Sequence, residues 1–351
     1  MSYAENVIDL IGNTPMVKLN RVTEGTKAGK VLVKLEMQNP GGSVKDRIAK
    51  SMIEQAEADG LITPGKTTVV EYTSGNTGIG LAMVCAAKGY DCVIVMPQLP
   101  PMKERYMICR KFGAQVHLTA GKLGIPGMKT YVDEQLQKNP DWWCPRQFEN
   151  PANPAVHTAT TAPEIWKQTG GDIDYLVAGA GTGGTVSAVA QFLKEKKPDI
   201  KVVCVEPTES RVLVGNPHAP HTIVGIGAGV PLKFVKELAP DQEWGEGPRG
   251  VIDEFQHCAS PDAIAFADKM AKKEGLLVGP STGAAIKVAM DIANRPEAEG
   301  KTICVISASS GIRYVAHPLW NPERSEGTEA LPAPPNMDPE PLLRWTSSKA
   351  E

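Results

Sequence analysis

No CxxC pair occurs among the seven cysteines, Cys85, Cys92, Cys109, Cys144, Cys204, Cys258 and Cys304. An odd, scattered count of this kind excludes a disulfide framework. Runs such as Val84-Cys85-Ala86 and Ile303-Cys304-Val305 read as core thiols in a reducing compartment. The six histidines form no HxxxH or HExxH. Only His218 and His221 fall close together, flanking a Pro-rich loop, and no metal is expected. There is no long basic run, and the formal net charge is -3. Nucleic acid and anionic membranes are thus left without an electrostatic footprint. No stretch reaches the ~18 apolar residues of a membrane span. The opening MSYAENVIDLIGNTP has neither a basic nor an apolar leader region, so a cytoplasmic location is expected. Internal repeats are absent.

What is present is an ordinary globular composition. The 351 residues, 42% hydrophobic and 22% charged, suffice for two cores. Apolar runs alternate with helical periods along the chain. Strands are expected at 31–37, 67–71, 92–96, 114–119, 174–179, 201–206 and 302–307. Helices are expected at 44–58, 77–88, 103–112, 126–138, 184–195, 262–274 and 283–293. This alternation predicts an α/β fold of two domains, each with a mostly parallel sheet flanked by helices. QFENPANP at 147–154 breaks the pattern and suggests domains at 1–150 and 151–320. A Pro- and Gly-rich irregular span covers about 207–250 and contains Gly225-Ile226-Gly227-Ala228-Gly229; spans this long are usually functional. Residues 321–351 carry six prolines between Asn321 and Pro341 and read as a tail, with Leu342, Leu343 and Trp345 as docking candidates.

Four glycine-containing turns each lead into a helix. In Asn39-Pro40-Gly41-Gly42-Ser43-Val44-Lys45 the lysine falls on the first helical turn. There the positive end of the helix dipole disfavours an ammonium, and lysines with a depressed pKa are the carriers of Schiff-base chemistry. Thr73-Ser74-Gly75-Asn76-Thr77 offers backbone N–H groups and hydroxyls suited to a carboxylate. Gly181-Thr182-Gly183-Gly184-Thr185 suits a phosphate. Gly179-Ala180-Gly181 also begins a GxGxxG pattern, with Glu206 at the end of the following strand, as in a dinucleotide site. Gly279-Pro280-Ser281-Thr282-Gly283 matches the GxSxG of a hydrolase elbow, for which only His317 lies downstream. Neither rival uses all four turns. Pyridoxal phosphate does: it needs an imine-forming lysine, a phosphate cradle, a partner for its ring nitrogen and a seat for an amino acid's carboxylate.

Asn39-Pro-Gly-Gly-Ser-Val-Lys45-Asp-Arg, Thr73-Ser-Gly-Asn-Thr77-Gly-Ile-Gly, Gln147-Phe-Glu-Asn-Pro, Gly181-Thr-Gly-Gly-Thr185 and Gly225-Ile-Gly-Ala-Gly229 resemble the cysteine synthase (O-acetylserine sulfhydrylase) family. These are pyridoxal-phosphate enzymes of the tryptophan-synthase-β fold type. The resemblance runs from about residue 5 to 316. It implies that the cofactor lies between the domains, that Lys45 carries it and later moves the substrate's α-proton, and that Gly181, Thr182, Gly183, Gly184 and Thr185 hold its phosphate. It implies Asn76 at the cofactor's 3′-oxygen and Ser281 at its ring nitrogen. Thr73, Ser74, Gly75, Thr77 and Gln147 would take the substrate carboxylate, and Gly225 would line the entrance. The implied reaction is β-replacement, giving L-cysteine from O-acetyl-L-serine and sulfide. A homodimer and a serine acetyltransferase C-terminal peptide are the implied partners.

Several positions depart from the family pattern. Tyr72 stands where a proline is usual, Pro100-Pro101 falls in the segment expected to close over substrate, and Ser307–Tyr314 replaces a Pro-Ser-x-Gly-Glu-Arg-Tyr ending. These departures bear on donor, nucleophile and closure. They keep two alternatives open: a β-cyanoalanine synthase using cysteine and cyanide, and a weakly catalytic relative that senses a metabolite or binds a partner.

Overall fold

A computed structural model describes residues 3–99, 102–230 and 232–330. Two sheets organise them. The larger has the order β1 (Met16–Lys18), β2 (Lys30–Leu35), β10 (Thr302–Ser307), β7 (Tyr175–Gly179), β8 (Lys201–Pro207) and β9 (Glu254–Cys258). The smaller has the order β5 (Gln115–Ala120), β4 (Asp91–Gln98), β3 (Thr68–Tyr72) and β6 (Trp142–Trp143). Every pairing is parallel except that of β1 with β2. Strand β10 is buried at every position, which is why TICVIS reads as a continuous apolar run rather than an alternation.

Helices α1 (Lys45–Ala58), α2 (Asn76–Lys88), α3 (Lys103–Lys111) and α4 (Gly124–Lys138) serve the smaller sheet. Then come α5 (Ala152–Val156), α6 (Ala162–Thr169), α7 (Gly184–Lys196), α8 (Lys233–Lys236), α9 (Ser260–Glu274), α10 (Pro280–Ala293) and α11 (Asn321–Ala330). The stripe Ile48, Met52, Ile53 and Ala56 is the buried face of α1. Among the described residues, no helix is long and apolar enough to cross a membrane.

The seven expected strands and seven expected helices are all present, with ends shifted by up to three residues. Three strands escape the sequence reading: β1 and β6 are too short to show a period, and Glu254-Phe255-Gln256-His257-Cys258 is only half apolar. The division at 150 does not follow the sheets. Strands β1 and β2 belong to the larger one, where β2 pairs with β10 from Lys30↔Thr302 to Leu35↔Ser307. The chain thus starts in one layer, crosses to the other through α1, and returns after β6. The segment after 150, expected as a break, is helical: α5 runs through a π-helical turn, His157–Thr161, into α6. The expected tail begins as α11, whose Arg324 donates to Val315 O (3.0 Å) and His317 O (2.9 Å). Pro100, Pro101, Leu342, Leu343 and Trp345 lie outside the described residues.

One buried ionic cluster ties the crossing point together. Arg47 on α1 donates through Nε and Nη2 to Glu36 (2.7 and 2.8 Å), just after β2, and through Nη1 and Nη2 to Glu164 on α6 (2.8 and 2.7 Å). Lys34 Nζ joins at 2.6 Å from Glu164 and 2.7 Å from Thr14 O. Burial pushes the Glu164 carboxyl up, but its hydrogen bonds from Arg47, the Arg47 charge and Lys34 outweigh this, and its pKa falls to about 2. Arg47→Met removes the shared cation, leaving the buried Glu36 without an ion-pair partner among the described residues and Glu164 with Lys34 alone, so unfolding free energy at neutral pH should fall by about 3–5 kcal/mol. Glu164's contribution is complete above its unfolded pKa of 4.5 and is lost as pH falls through about 2, so wild type and variant should converge in acid. Urea titrations at neutral pH and near pH ~2 measure both effects; a constant difference would reject the assignment to Glu164.

Candidate active site

The helix-initiating turns converge because parallel strands present their C-terminal ends to one side, where the crevice of an α/β sheet forms. Strand β3 delivers Thr73–Thr77, β7 delivers Gly181–Thr185, and Lys45 opens α1. The result is a single cleft of about 390 Å³ lined by Lys45, Thr73, Ser74, Gly75, Asn76, Thr77, Gln147, Gly181, Thr182, Gly183, Thr185, Gly225 and Ser281. Gly184 is the one predicted site residue behind the lining. It is the first residue of α7, its N–H donates to Thr182 Oγ1 (3.3 Å), and a Cβ there would strike Asn153 Oδ1.

Lys45 Nζ makes no hydrogen bond or ion pair to any described residue. Burial alone lowers its pKa from 10.5 to about 8; the helix dipole invoked above is not needed. A Cβ on Gly181 would lie 3.8 Å from that amine and 2.5 Å from Gly225 O, so the glycine is what lets two loops and the lysine meet. The backbone N–H groups of Gly181, Thr182 and Gly183 donate to no acceptor among the described residues, and α7 starts beside them. This is an anion cradle. Ser281, in the first turn of α10, is buried, and its hydroxyl likewise has no partner among the described residues.

The facing wall is tightly held. Thr77 Oγ1 donates to Gln147 Oε1 at 2.6 Å, and Gln147 N donates to Glu71 Oε2 at 3.2 Å. Burial holds the Glu71 carboxyl up at about 8 despite those backbone bonds. Arg146, just before Gln147, takes the left-handed φ of 54°, a strain of about 1–3 kcal/mol that the surrounding bonds maintain. Both ends of the Asn76 amide are engaged: Oδ1 accepts from Arg313 Nη1 (3.0 Å) and Nδ2 donates to the Tyr314 hydroxyl (3.3 Å). The amide is therefore held in a fixed orientation on the cleft.

Sequence reasoning missed the residues that brace these loops. Asn153 Nδ2 donates to Gln147 O (2.7 Å) and Thr182 Oγ1 (2.9 Å), linking the carboxylate wall to the phosphate cradle. His157 is fully buried between Thr161 Oγ1 (2.9 Å) and Thr185 Oγ1 (3.1 Å), and burial pushes it well below its ordinary pKa. It is held neutral. The QFENPANP motif signalled Asn153; a lone histidine signals nothing.

The rival readings lose their residues. Glu206 is not at the cleft; it is fully buried, with Oε2 accepting from Leu213 N (2.9 Å). His317 is engaged by Thr222 O (2.6 Å) and Leu319 N (3.0 Å) rather than by Ser281. His218 and His221 lie at the cleft mouth on Ser210 Oγ (2.8 Å) and Gly227 O (3.0 Å).

A lysine whose pKa is depressed by burial, an N–H cradle and a hydroxyl, all without partners among the described residues and all on one cleft, fit pyridoxal phosphate. The match to known proteins agrees. Residues 7–309 match the family described as pyridoxal-phosphate dependent enzyme, and the chain belongs to that family. Within it, the chain is similar to cysteine synthase 3 of Caenorhabditis elegans, 43% identical over 313 residues, 89% of each chain. Among solved structures it resembles a cysteine synthase of Entamoeba histolytica (TM-score 0.82, 42% identity, 91% of each chain). It also resembles an O-ureido-L-serine synthase (TM-score 0.83, 35% identity, 97% of this chain and 99% of that one).

If burial sets the Lys45 pKa, competitive acetylation of cofactor-stripped protein should show Lys45 half-reactive near pH 8, against 10.5 for an unperturbed lysine. The neutral amine reacts, so its labelling rises with pH and levels off first. Labelling that tracks the surface lysines would remove this support for the assignment.

Proposed function

We propose that the chain is a cysteine synthase, a β-replacement enzyme that joins sulfide to the three-carbon skeleton of O-acetyl-L-serine. The observation that carries this reading is the partnerless Lys45 amine between an anion cradle and a carboxylate wall. When bound, pyridoxal phosphate supplies an electron sink for the substrate's α-carbon. Lys45 would hold it, the 181–185 loop and Thr185, steadied by His157, would take its phosphate, and Asn76 would meet its 3′-oxygen. Ser281 would face the ring nitrogen. A neutral hydroxyl there, rather than a carboxylate, leaves the sink weak, which favours expulsion of a β-leaving group over a long-lived carbanion. The residues 73–77 with Gln147 orient the substrate through its carboxylate, and the freed Lys45 amine takes the α-proton. Acetate leaves before sulfide adds, so the kinetics are ping-pong.

The likeness to an O-ureido-L-serine synthase at TM-score 0.83 supports a second reading in which donor and nucleophile differ. Cysteine with cyanide is the alternative pair to assay. Family resemblance further supports a cytoplasmic homodimer, with a serine acetyltransferase C-terminal peptide as a candidate partner.

Holoenzyme given O-acetylserine and sulfide should form cysteine, and Lys45→Ala should lower kcat by about 10³-fold or more. If cysteine and cyanide are consumed while O-acetylserine and sulfide are not, the cyanoalanine reading replaces this one. Light scattering should give twice the 37.5 kDa chain mass; a monomer would reject the homodimer.

A further inference from the structure

Tyr72 is where this chain departs from its family next to the substrate. It ends β3, immediately before the carboxylate wall, and is 3% exposed. Its ring stacks on Phe148, the neighbour of Gln147, with centroids 6.4 Å apart and planes at 19°. Ile125 and Met128 of α4 extend the same apolar face, and all four side chains line the cleft. The Tyr72 hydroxyl makes no hydrogen bond with a described residue, and it is not sealed from solvent. An accessible hydroxyl without a protein partner, on a side chain that lines the cleft, can both donate to and accept from a ligand. An amino acid whose carboxylate sits on residues 73–77 and Gln147 brings its β-substituent alongside this face.

Resting on the β-replacement reading, we propose that Tyr72 determines donor specificity: its hydroxyl donates a hydrogen bond to the carbonyl oxygen of an acyl ester on the donor's β-carbon. The ester's apolar end packs on Phe148, Met128 and Ile125. The β-carbon–oxygen bond breaks with its electron pair leaving on the carboxylate. The α-proton goes to Lys45, and Tyr72 keeps its own proton while its hydrogen bond strengthens as charge builds on the leaving oxygens. Burial raises the Tyr72 pKa, so the phenol remains a donor across the working range. A proline at this position has neither the ring nor the hydroxyl.

The test compares Tyr72→Phe with wild-type holoenzyme on O-acetylserine and on β-chloro-L-alanine, whose leaving group has no carbonyl. The ratio of the two kcat/KM values should fall about tenfold in the variant. An unchanged ratio, including an equal loss on both donors, overturns the proposal. A binding measurement separates this from failure of the functional reading. Wild type should bind 3-acetamido-L-alanine, the amide analogue of O-acetylserine whose β-substituent is a poor leaving group, about tenfold more tightly than norleucine, and Tyr72→Phe should erase that preference. No preference in wild type overturns the role of Tyr72. If neither donor turns over in wild type yet the preference is present, the β-replacement reading fails and the Tyr72 contact stands.

Discussion

The structure depends on one guanidinium. Arg47 is 1% exposed and holds two carboxylates that reach it from different parts of the chain, Glu36 after β2 and Glu164 on α6. Such a pair contributes little net stability over a well-packed apolar alternative, yet each partner is costly to lose. Its value here is positional. Arg47 lies two residues beyond Lys45, on the same first turn of α1. Fixing Arg47 therefore fixes the start of that helix against the larger sheet, although the body of α1 packs with the smaller one. Lys45 is held at the junction of the two layers by an interaction outside the cleft.

From that junction the electrostatics of the site follow by burial. Lys45 and Glu71 both stand near pH 8, one lowered and the other raised, and for each the largest cause is the loss of water. The low-dielectric wall favours the neutral form of either group. For Lys45 this yields a usable amine. For Glu71 it yields a carboxyl that serves as a bracket for the backbone at Tyr72 and Gln147. The same cause thus gives a chemical role on one wall and a structural role on the other.

The parts of this arrangement legible in the sequence are the local ones. A glycine turn between an apolar run and a helical period needs only adjacent residues to be recognised, so Lys45, the 73–77 loop and the 181–185 loop were all visible. Contacts between distant segments were not. Nothing in Lys30–Leu35 announces a partner strand at Thr302–Ser307, which is why the division drawn at 150 does not follow the sheets. His157 was invisible because its function is to fill the space between Thr161 and Thr185, which no spacing encodes. Asn153 was visible only as part of a motif; its bridging role needed coordinates. Glu206 shows the converse error: its register suggested a ribose ligand, but its strand end turns into the protein interior.

The division of labour within the cleft also explains where this chain is free to vary. Each loop that would hold the cofactor is braced twice: Thr182 by Asn153, Thr185 by His157, Asn76 by Arg313 and Tyr314. A substitution there disturbs a network whose members are shared: Asn153 also holds Gln147 O, and His157 also holds Thr161. The wall of Tyr72, Phe148, Ile125 and Met128 is different. It is held by apolar packing, which tolerates changes of shape that keep volume, and on the proposed reading it faces the part of the substrate that is exchanged. A tyrosine therefore replaces a proline at the strand end without touching the lysine, the cradle or the carboxylate seat. Polar networks hold the cleft's loops in a fixed geometry, while the adjoining apolar wall carries a hydroxyl with no hydrogen bond to a described residue.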